Sequence, residues 1–141
     1  MKPELIPDPH PESSGLALLD WTRGPLAEGL ACYRRGEYFL AHEHWEAVWL
    51  TLRQPEKDLL QALIQVAAAF HHLERSNLAG ARSLLARALR RLSACPPHFG
   101  GIRLDRLRTE LHDTLQRLTS AADPAGLTAP PIRPSGEGAA S

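Results

Sequence analysis

Apolar residues between positions 25 and 119 recur at the three- and four-residue spacing of amphipathic helices. No run in this region alternates with the two-residue period of a strand. The pattern predicts five helices, over residues 25–35, 37–52, 56–74, 77–92 and 104–118. The short connections between them favour antiparallel packing of neighbours. We therefore expect an all-α fold, a compact helical bundle built from antiparallel helical hairpins.

The segments that flank this helical region have a different composition. Residues 1–24 begin with four prolines in the first 14 positions and few large apolar residues, which predicts an extended lead-in. Residues 120–141 are rich in Ala, Pro, Gly and Ser, which predicts a disordered tail. The helical-bundle domain is accordingly assigned to residues 25–119.

The second and third predicted helices carry apolar residues on more than one side, whereas the fourth and fifth have one apolar stripe and one solvated face. The main stripe of the second helix consists of Tyr38, Ala41, Trp45, Val48 and Leu52. Phe39 and Leu50 lie on its other side. Because two apolar sides indicate burial from two directions, we expect the second and third helices to be central.

Composition supports a single folded domain, because 43% of the 141 residues are hydrophobic. The net charge is zero but unevenly distributed. Residues 1–74 hold 11 acidic and 6 basic residues, and residues 75–141 hold 5 acidic and 10 basic residues. We interpret the arginines of the second half as solvated helix faces. No basic run interleaved with aromatic residues is present, so no nucleic-acid partner is expected.

The sequence also bears on location. The longest apolar-rich stretch, residues 59–70, is interrupted by Gln61 and Gln65 and is too short to span a bilayer. The N-terminus lacks the apolar run of a secretory signal. We therefore expect a cytoplasmic protein that does not enter the membrane. Cys32 and Cys95 form no CxxC motif and are interpreted as free, partly buried thiols.

One group of residues could carry chemistry. On the second helix, His42 and Glu46 are one turn apart and can converge on one point, with Glu43 beside them. The third helix offers a polar stripe opposite its apolar face, with a further histidine at the edge of that face. These residues are Gln61, Gln65 and His72 on the stripe and His71 at the edge. Antiparallel packing would bring the two carboxylates close to the stripe.

Imidazole and carboxylate groups are the ligands of metal sites in helical bundles. His42, Glu46 and either His72 or His71 would supply three ligands to a divalent metal and leave an open position for water. Glu43 could then act as a general base, which would make the protein a metal-dependent hydrolase. The motif is not HExxH, because Glu46 stands where the second histidine would be.

A structural role for the same residues is the alternative. Two carboxylates on a partly buried face are costly unless they are paired, so an arginine such as Arg34, Arg35 or Arg82 could neutralise them in a buried network. In that case the protein would be a non-catalytic interaction scaffold. A small molecule or metal is the ligand expected under the first hypothesis. A symmetric homo-oligomer is compatible with the second.

Three sequence runs resemble the signature of the domain-of-unknown-function 309 family of small bacterial and archaeal proteins. They are residues 33–49, 60–72 and 77–81. The resemblance extends over about residues 26–118. It implies an all-helical bundle and little about function, because the family is uncharacterised. Leu40 departs from the pattern, since the family often has Glu at this position, and a metal site that needed this carboxylate would be weakened.

Overall fold

The computed structural model describes residues 19–120 and 127–135. Within these residues there are five α-helices, α1 (Gly24–Arg34), α2 (Tyr38–Trp49), α3 (Glu56–Glu74), α4 (Leu78–Ser93) and α5 (Leu104–Ser120). A short antiparallel hairpin between α4 and α5 pairs β1 (His98–Phe99) with β2 (Ile102–Arg103). The prediction of an all-α fold with about five helices is confirmed.

The helix ends follow local sequence signals. Pro25 occupies the first turn of α1, where its missing N–H costs nothing. Gly36 lies between α1 and α2 with φ +82°, a conformation that glycine adopts without steric cost. The Asn77 side chain accepts a hydrogen bond from the Gly80 N–H at 3.0 Å and so caps the start of α4.

The β1–β2 hairpin lies between the predicted helices of residues 77–92 and 104–118. Each strand has only two residues, which is too short for an alternating pattern to show in the sequence. Gly100 and Gly101 both have positive φ and form the turn between the strands. The Trp21 side chain, which precedes α1, is buried and donates a hydrogen bond from Nε1 to the Gly100 carbonyl at 2.8 Å.

The core forms around α3, which packs against both α2 and α4. Its buried side includes Leu59, Leu60, Leu63, Val66 and Phe70. The expectation that the third helix is central is therefore confirmed. α2 also packs against two helices, α1 and α3, but only one of its two apolar sides is buried. It buries Ala41 and Trp45 in the core and leaves its other side to solvent.

The predicted disordered tail contains a segment that packs against the bundle. In residues 127–135, Ile132 is 1% exposed. The Arg103 N–H donates to the Arg133 carbonyl at 2.9 Å, and the Ser135 N–H donates to the Gly101 carbonyl at 2.8 Å. The prediction of disorder is wrong for this segment, because an apolar anchor and backbone hydrogen bonds hold it in place. Residues 1–18, 121–126 and 136–141 lie outside the described residues.

The two thiols are free, as predicted, with Cys32 buried and Cys95 half-buried. Burial raises the pKa of both thiols, which favours the protonated form. Within residues 19–120 and 127–135, none of the helices has the combined length and hydrophobicity that a membrane crossing requires.

Candidate functional site

The predicted pairing of His42 and Glu46 is present in the structure. The His42 Nε2 and Glu46 Oε2 atoms are 3.4 Å apart, across one turn of α2. The two side chains differ in environment, because the His42 side chain is 25% exposed and the Glu46 side chain is 55% exposed. The pair therefore lies at the border between the α2–α3 interface and solvent.

The carboxylates were expected on a partly buried face, and this expectation is wrong. Glu43 and Glu46 are both exposed. They share the outer side of α2 with the apolar residues Phe39 and Leu50. These two apolar residues suggested a second buried side, but Phe39 is 49% exposed and Leu50 is 73% exposed. Hydration of the two acids is thus retained, and no buried arginine is needed to neutralise them.

The arginines proposed as neutralising partners have other roles where their contacts are defined. Arg35 pairs with Glu37, at 2.8 Å between Nη2 and Oε1. Arg82 donates from Nη1 to the Leu118 carbonyl at 3.4 Å, which links α4 to α5. The buried ionic network proposed as the alternative around Glu43 and Glu46 is therefore not built from these two arginines.

The histidines of α3 are held by different neighbours. The His71 ring packs on Phe39 with 5.3 Å between ring centroids, and Phe39 stacks on His42 at 5.8 Å. His72 instead faces the turn into α4, where its Nδ1 lies 3.1 Å from the Asn77 Nδ2. Aromatic packing thus connects His71 with His42, whereas His72 is engaged at the end of its helix.

Among the residues that the structure describes, no three His, Cys, Asp or Glu side chains form a group that could hold a metal ion. The expected ligands His42, Glu46 and His72 do not form such a group, and Glu43 is exposed to solvent. The reason lies in the geometry described above, because His72 is drawn to the turn and Glu46 points into solvent.

Some buried polar atoms of α2 and α3 have no protein partner within the described part of the chain. On α3, Gln65 is buried and its Oε1 lacks a hydrogen bond, while Gln61 is only half-buried. On α2, the buried His42 Nδ1 and Trp49 Nε1 also lack partners. Bridging waters are the usual solution for such groups. The predicted polar stripe is thus partly buried, whereas the two carboxylates of α2 are exposed.

Sequence reasoning missed two contacts of α2. The Lys57 ammonium lies over the Trp49 ring, 4.2 Å from its centroid. His44 Nδ1 lies 3.5 Å from Glu28 Oε1 and connects α2 with α1. Both pairs join neighbouring helices at their exposed edges. No periodic signal could have predicted them, because helical spacing identifies faces and not the residues across an interface.

Taken together, these features define a small all-α bundle domain in which one exposed helix face carries both acidic and apolar side chains. The family model of DUF309, a domain of unknown function, matches residues 26–84. The match includes α2 and α3 and confirms the resemblance drawn from the sequence motifs.

The chain is also similar to part of a longer protein. An uncharacterized protein of Aquifex aeolicus (strain VF5) is 31% identical to this chain over 91 residues. These residues make up 64% of this chain and 27% of the relative. The chain thus spans about a quarter of the length of the curated relative that it matches.

The remaining metal hypothesis can be tested through the His42–Glu46 pair. We expect Glu46→Gln to change the free energy of unfolding by less than about 1 kcal/mol, because exposed ion pairs contribute little. Urea melts would measure this change. Thermal melts of the wild type and of His42→Ala with and without zinc provide the second measurement. A bound metal would stabilise the wild type by about 2.7 kcal/mol at a hundredfold excess over its dissociation constant. We expect zinc to leave the Tm of both proteins unchanged. A zinc-dependent rise in the Tm of the wild type that His42→Ala abolishes would contradict this expectation.

Proposed function

We propose that this protein is a non-catalytic helical interaction domain that binds a partner helix on the outer side of α2. One observation carries the proposal. The large apolar side chains that are exposed among the described residues are Phe39 (49%), Leu40 (46%) and Leu50 (73%), and all three lie on α2 or at its C-cap. Single exposed apolar residues are common on protein surfaces, but a concentration on one helix is typical of a contact surface.

The spacing of the exposed residues supports a helix as the partner. Phe39, Glu43, Glu46 and Leu50 follow one another at intervals of four, three and four, which places them on one side of α2. We call these four residues the α2 seam. The same intervals characterise the contact line between paired helices. At 1.5 Å per residue the α2 seam extends over roughly 16 Å, which corresponds to three turns of a partner helix.

The charge of the α2 seam determines which partner fits. Its two ends are apolar and its centre is acidic. A second copy packed symmetrically on this face would place carboxylates against carboxylates, which is unfavourable. The complementary partner is an amphipathic helix that has apolar residues at both ends of the contact and Lys or Arg at its centre.

The comparison with a longer relative is compatible with this role. The matching segment makes up only 27% of the Aquifex aeolicus protein, so there the domain is joined to further polypeptide. A small domain that forms part of a longer chain suits a role in contacting other protein segments.

Two designed helical peptides would test the proposal. Both have leucines spaced to meet Phe39 and Leu50, and they differ at the two central contact positions, which are Lys in one and Glu in the other. We expect the Lys peptide to bind the full-length protein in fluorescence anisotropy titrations and the Glu peptide to bind at least about tenfold more weakly, because its charges face Glu43 and Glu46.

Substitutions in the protein complete this experiment. Leu50→Ser should weaken binding of the Lys peptide about tenfold, since apolar anchors at interfaces are typically worth more than about 1 kcal/mol. Leu50 is the safest seam residue to change, because it makes the least contact with the bundle. Asp113→Asn on α5 removes one exposed charge elsewhere and is the control. Equal binding of both peptides, or no effect of Leu50→Ser, would show that the α2 seam is not a docking surface.

A further inference from the structure

Three arginines surround a cavity at the corner where the start of α3 meets the end of α4. The cavity has a volume of about 320 Å³ and is lined by Asp58, Arg87, Arg90, Arg91 and Ala94. Arg87, Arg90 and Arg91 are three and four residues apart, so their side chains leave the same side of α4. Asp58 contributes from the first turn of α3. We call this group the arginine pocket.

The charges of the arginine pocket are not balanced. Arg91 pairs with Asp58 through Nη1 and Oδ1. Arg87 and Arg90 are exposed, and neither has an ion pair or side-chain hydrogen bond with any residue that the structure describes. The pocket therefore holds three guanidinium groups and one carboxylate. Two guanidinium groups remain available to a ligand, and Asp58 restrains the third.

The position of the arginines at the end of α4 has a partial structural explanation. Positive charges in the last turn interact favourably with the carbonyl end of a helix, which accounts for Arg90 and Arg91. It does not account for Arg87, which lies a turn earlier, or for the concave surface that all three share with Asp58.

We propose that the arginine pocket binds a small phosphorylated molecule through its phosphoryl group. Guanidinium groups present pairs of N–H donors that match the oxygens of a phosphoryl group, and such charge-assisted hydrogen bonds are strong. Arg87 and Arg90 donate to the phosphoryl oxygens, and Asp58 holds Arg91 beside them. The Ala94 side chain is small and leaves space at the margin of the pocket for the remainder of the ligand.

The geometry favours a small ligand over a nucleic acid. A duplex is bound through many phosphate contacts along an extended surface. Here the positive charge is gathered around one cavity and does not extend along a surface of that length. The proposal does not depend on the α2 seam, which lies on a different helix.

Calorimetric titration of the full chain with inorganic phosphate and with pyrophosphate tests the proposal, with NaCl added to keep the ionic strength constant. We expect saturable binding of one pyrophosphate per chain and weaker binding of phosphate. The double variant Arg87→Gln/Arg90→Gln should bind pyrophosphate at least about tenfold more weakly, because two charge-assisted hydrogen-bond donors are lost. Arg117→Gln, an exposed arginine in the last turn of α5, should bind like the wild type.

Three results would overturn the proposal. The first is no saturable binding of pyrophosphate by the wild type in the millimolar range. The second is an equal loss of binding in the double variant and in Arg117→Gln, which would indicate a general charge effect. The third is a gel shift of a short DNA duplex that persists at about 200 mM salt and is abolished in the double variant, which would identify nucleic acid as the ligand. Circular dichroism of the double variant would establish that it is folded.

Discussion

Replacing Trp45 with alanine is expected to lower the free energy of unfolding by about 3–5 kcal/mol, the usual cost of removing a large aromatic side chain from a core. The Trp45 side chain is completely buried at the centre of α2. Its ring lies 6.0 Å from the Tyr33 ring and 6.1 Å from the Trp21 ring, measured between centroids. Trp45 thus joins α2 to α1 and to the segment that precedes it.

Two further contacts make this position sensitive. The Trp45 Nε1 donates a hydrogen bond to the Leu26 carbonyl at 3.2 Å, and alanine would leave that buried acceptor without its partner. Gly29 lies directly against the indole, where any larger side chain would collide with it. The close approach of α1 to α2 is therefore matched to the shape of this one ring, and the bundle cannot collapse readily into the cavity.

Urea melts of the variants would measure the effect of Trp45→Ala. Leu50→Ala on the same helix is a suitable control, because Leu50 is largely exposed and its loss should change stability by no more than about 0.5 kcal/mol. Trp45→Phe keeps an aromatic ring and should be less destabilising than Trp45→Ala. A loss below about 1 kcal/mol in Trp45→Ala would show that this face of α2 is not part of the core.

The position of Trp45 was predictable because helical periodicity identifies the side of a helix that faces the core. The stripe through Ala41, Trp45 and Leu52 is buried as expected. Periodicity does not reveal whether a second apolar side is covered. Phe39 and Leu50 flank Glu43 and Glu46 on one side of α2, and this pattern fits buried acids as well as exposed apolar residues. Only the solvent exposure of this side in the folded bundle distinguishes the two.

His72 was the least predictable residue of the candidate site, for a related reason. A helical wheel places His72 in line with Gln61 and Gln65, but it treats the helix as continuous. His72 lies in the last turn of α3, where the chain reverses and the Asn77 side chain meets its ring. The His42–Glu46 contact was predictable because it lies within one turn of one helix. A site composed of residues from two helices requires the packing between them, which the sequence does not specify.

The C-terminal tail shows that average composition alone does not predict which residues are ordered. Residues 120–141 are rich in small residues and proline, and their average composition predicts disorder. One buried isoleucine and a few backbone hydrogen bonds nevertheless fix residues 127–135 on the bundle. The Tyr33 hydroxyl donates to the Pro130 carbonyl at 2.6 Å. Burial raises the pKa of Tyr33 well above its usual value, so the hydroxyl keeps the proton that it donates.

Ile132→Ala is therefore expected to lower the free energy of unfolding by about 2–5 kcal/mol, the range for removing a buried isoleucine side chain from a packed core. Its neighbours Pro130 and Pro134 are also buried, and Pro134 is bridged to Ile102 next to the hairpin. Loss of the Ile132 side chain removes the apolar contact that holds the segment on the bundle between Pro130 and Pro134.

Chemical denaturation of Ile132→Ala and Thr128→Ala would show whether residues 127–135 are docked on the bundle or disordered. Thr128 is exposed in the same segment, so its replacement should change stability by no more than about 0.5 kcal/mol. Tyr33→Phe removes only the hydrogen bond to Pro130 and should cost about 0.5–1.5 kcal/mol. A disordered tail makes no stabilising contact. In that case Ile132→Ala would be as stable as Thr128→Ala, and Tyr33→Phe would be as stable as the wild type. A docked segment requires both Ile132→Ala and Tyr33→Phe to lose stability, with the larger loss at Ile132.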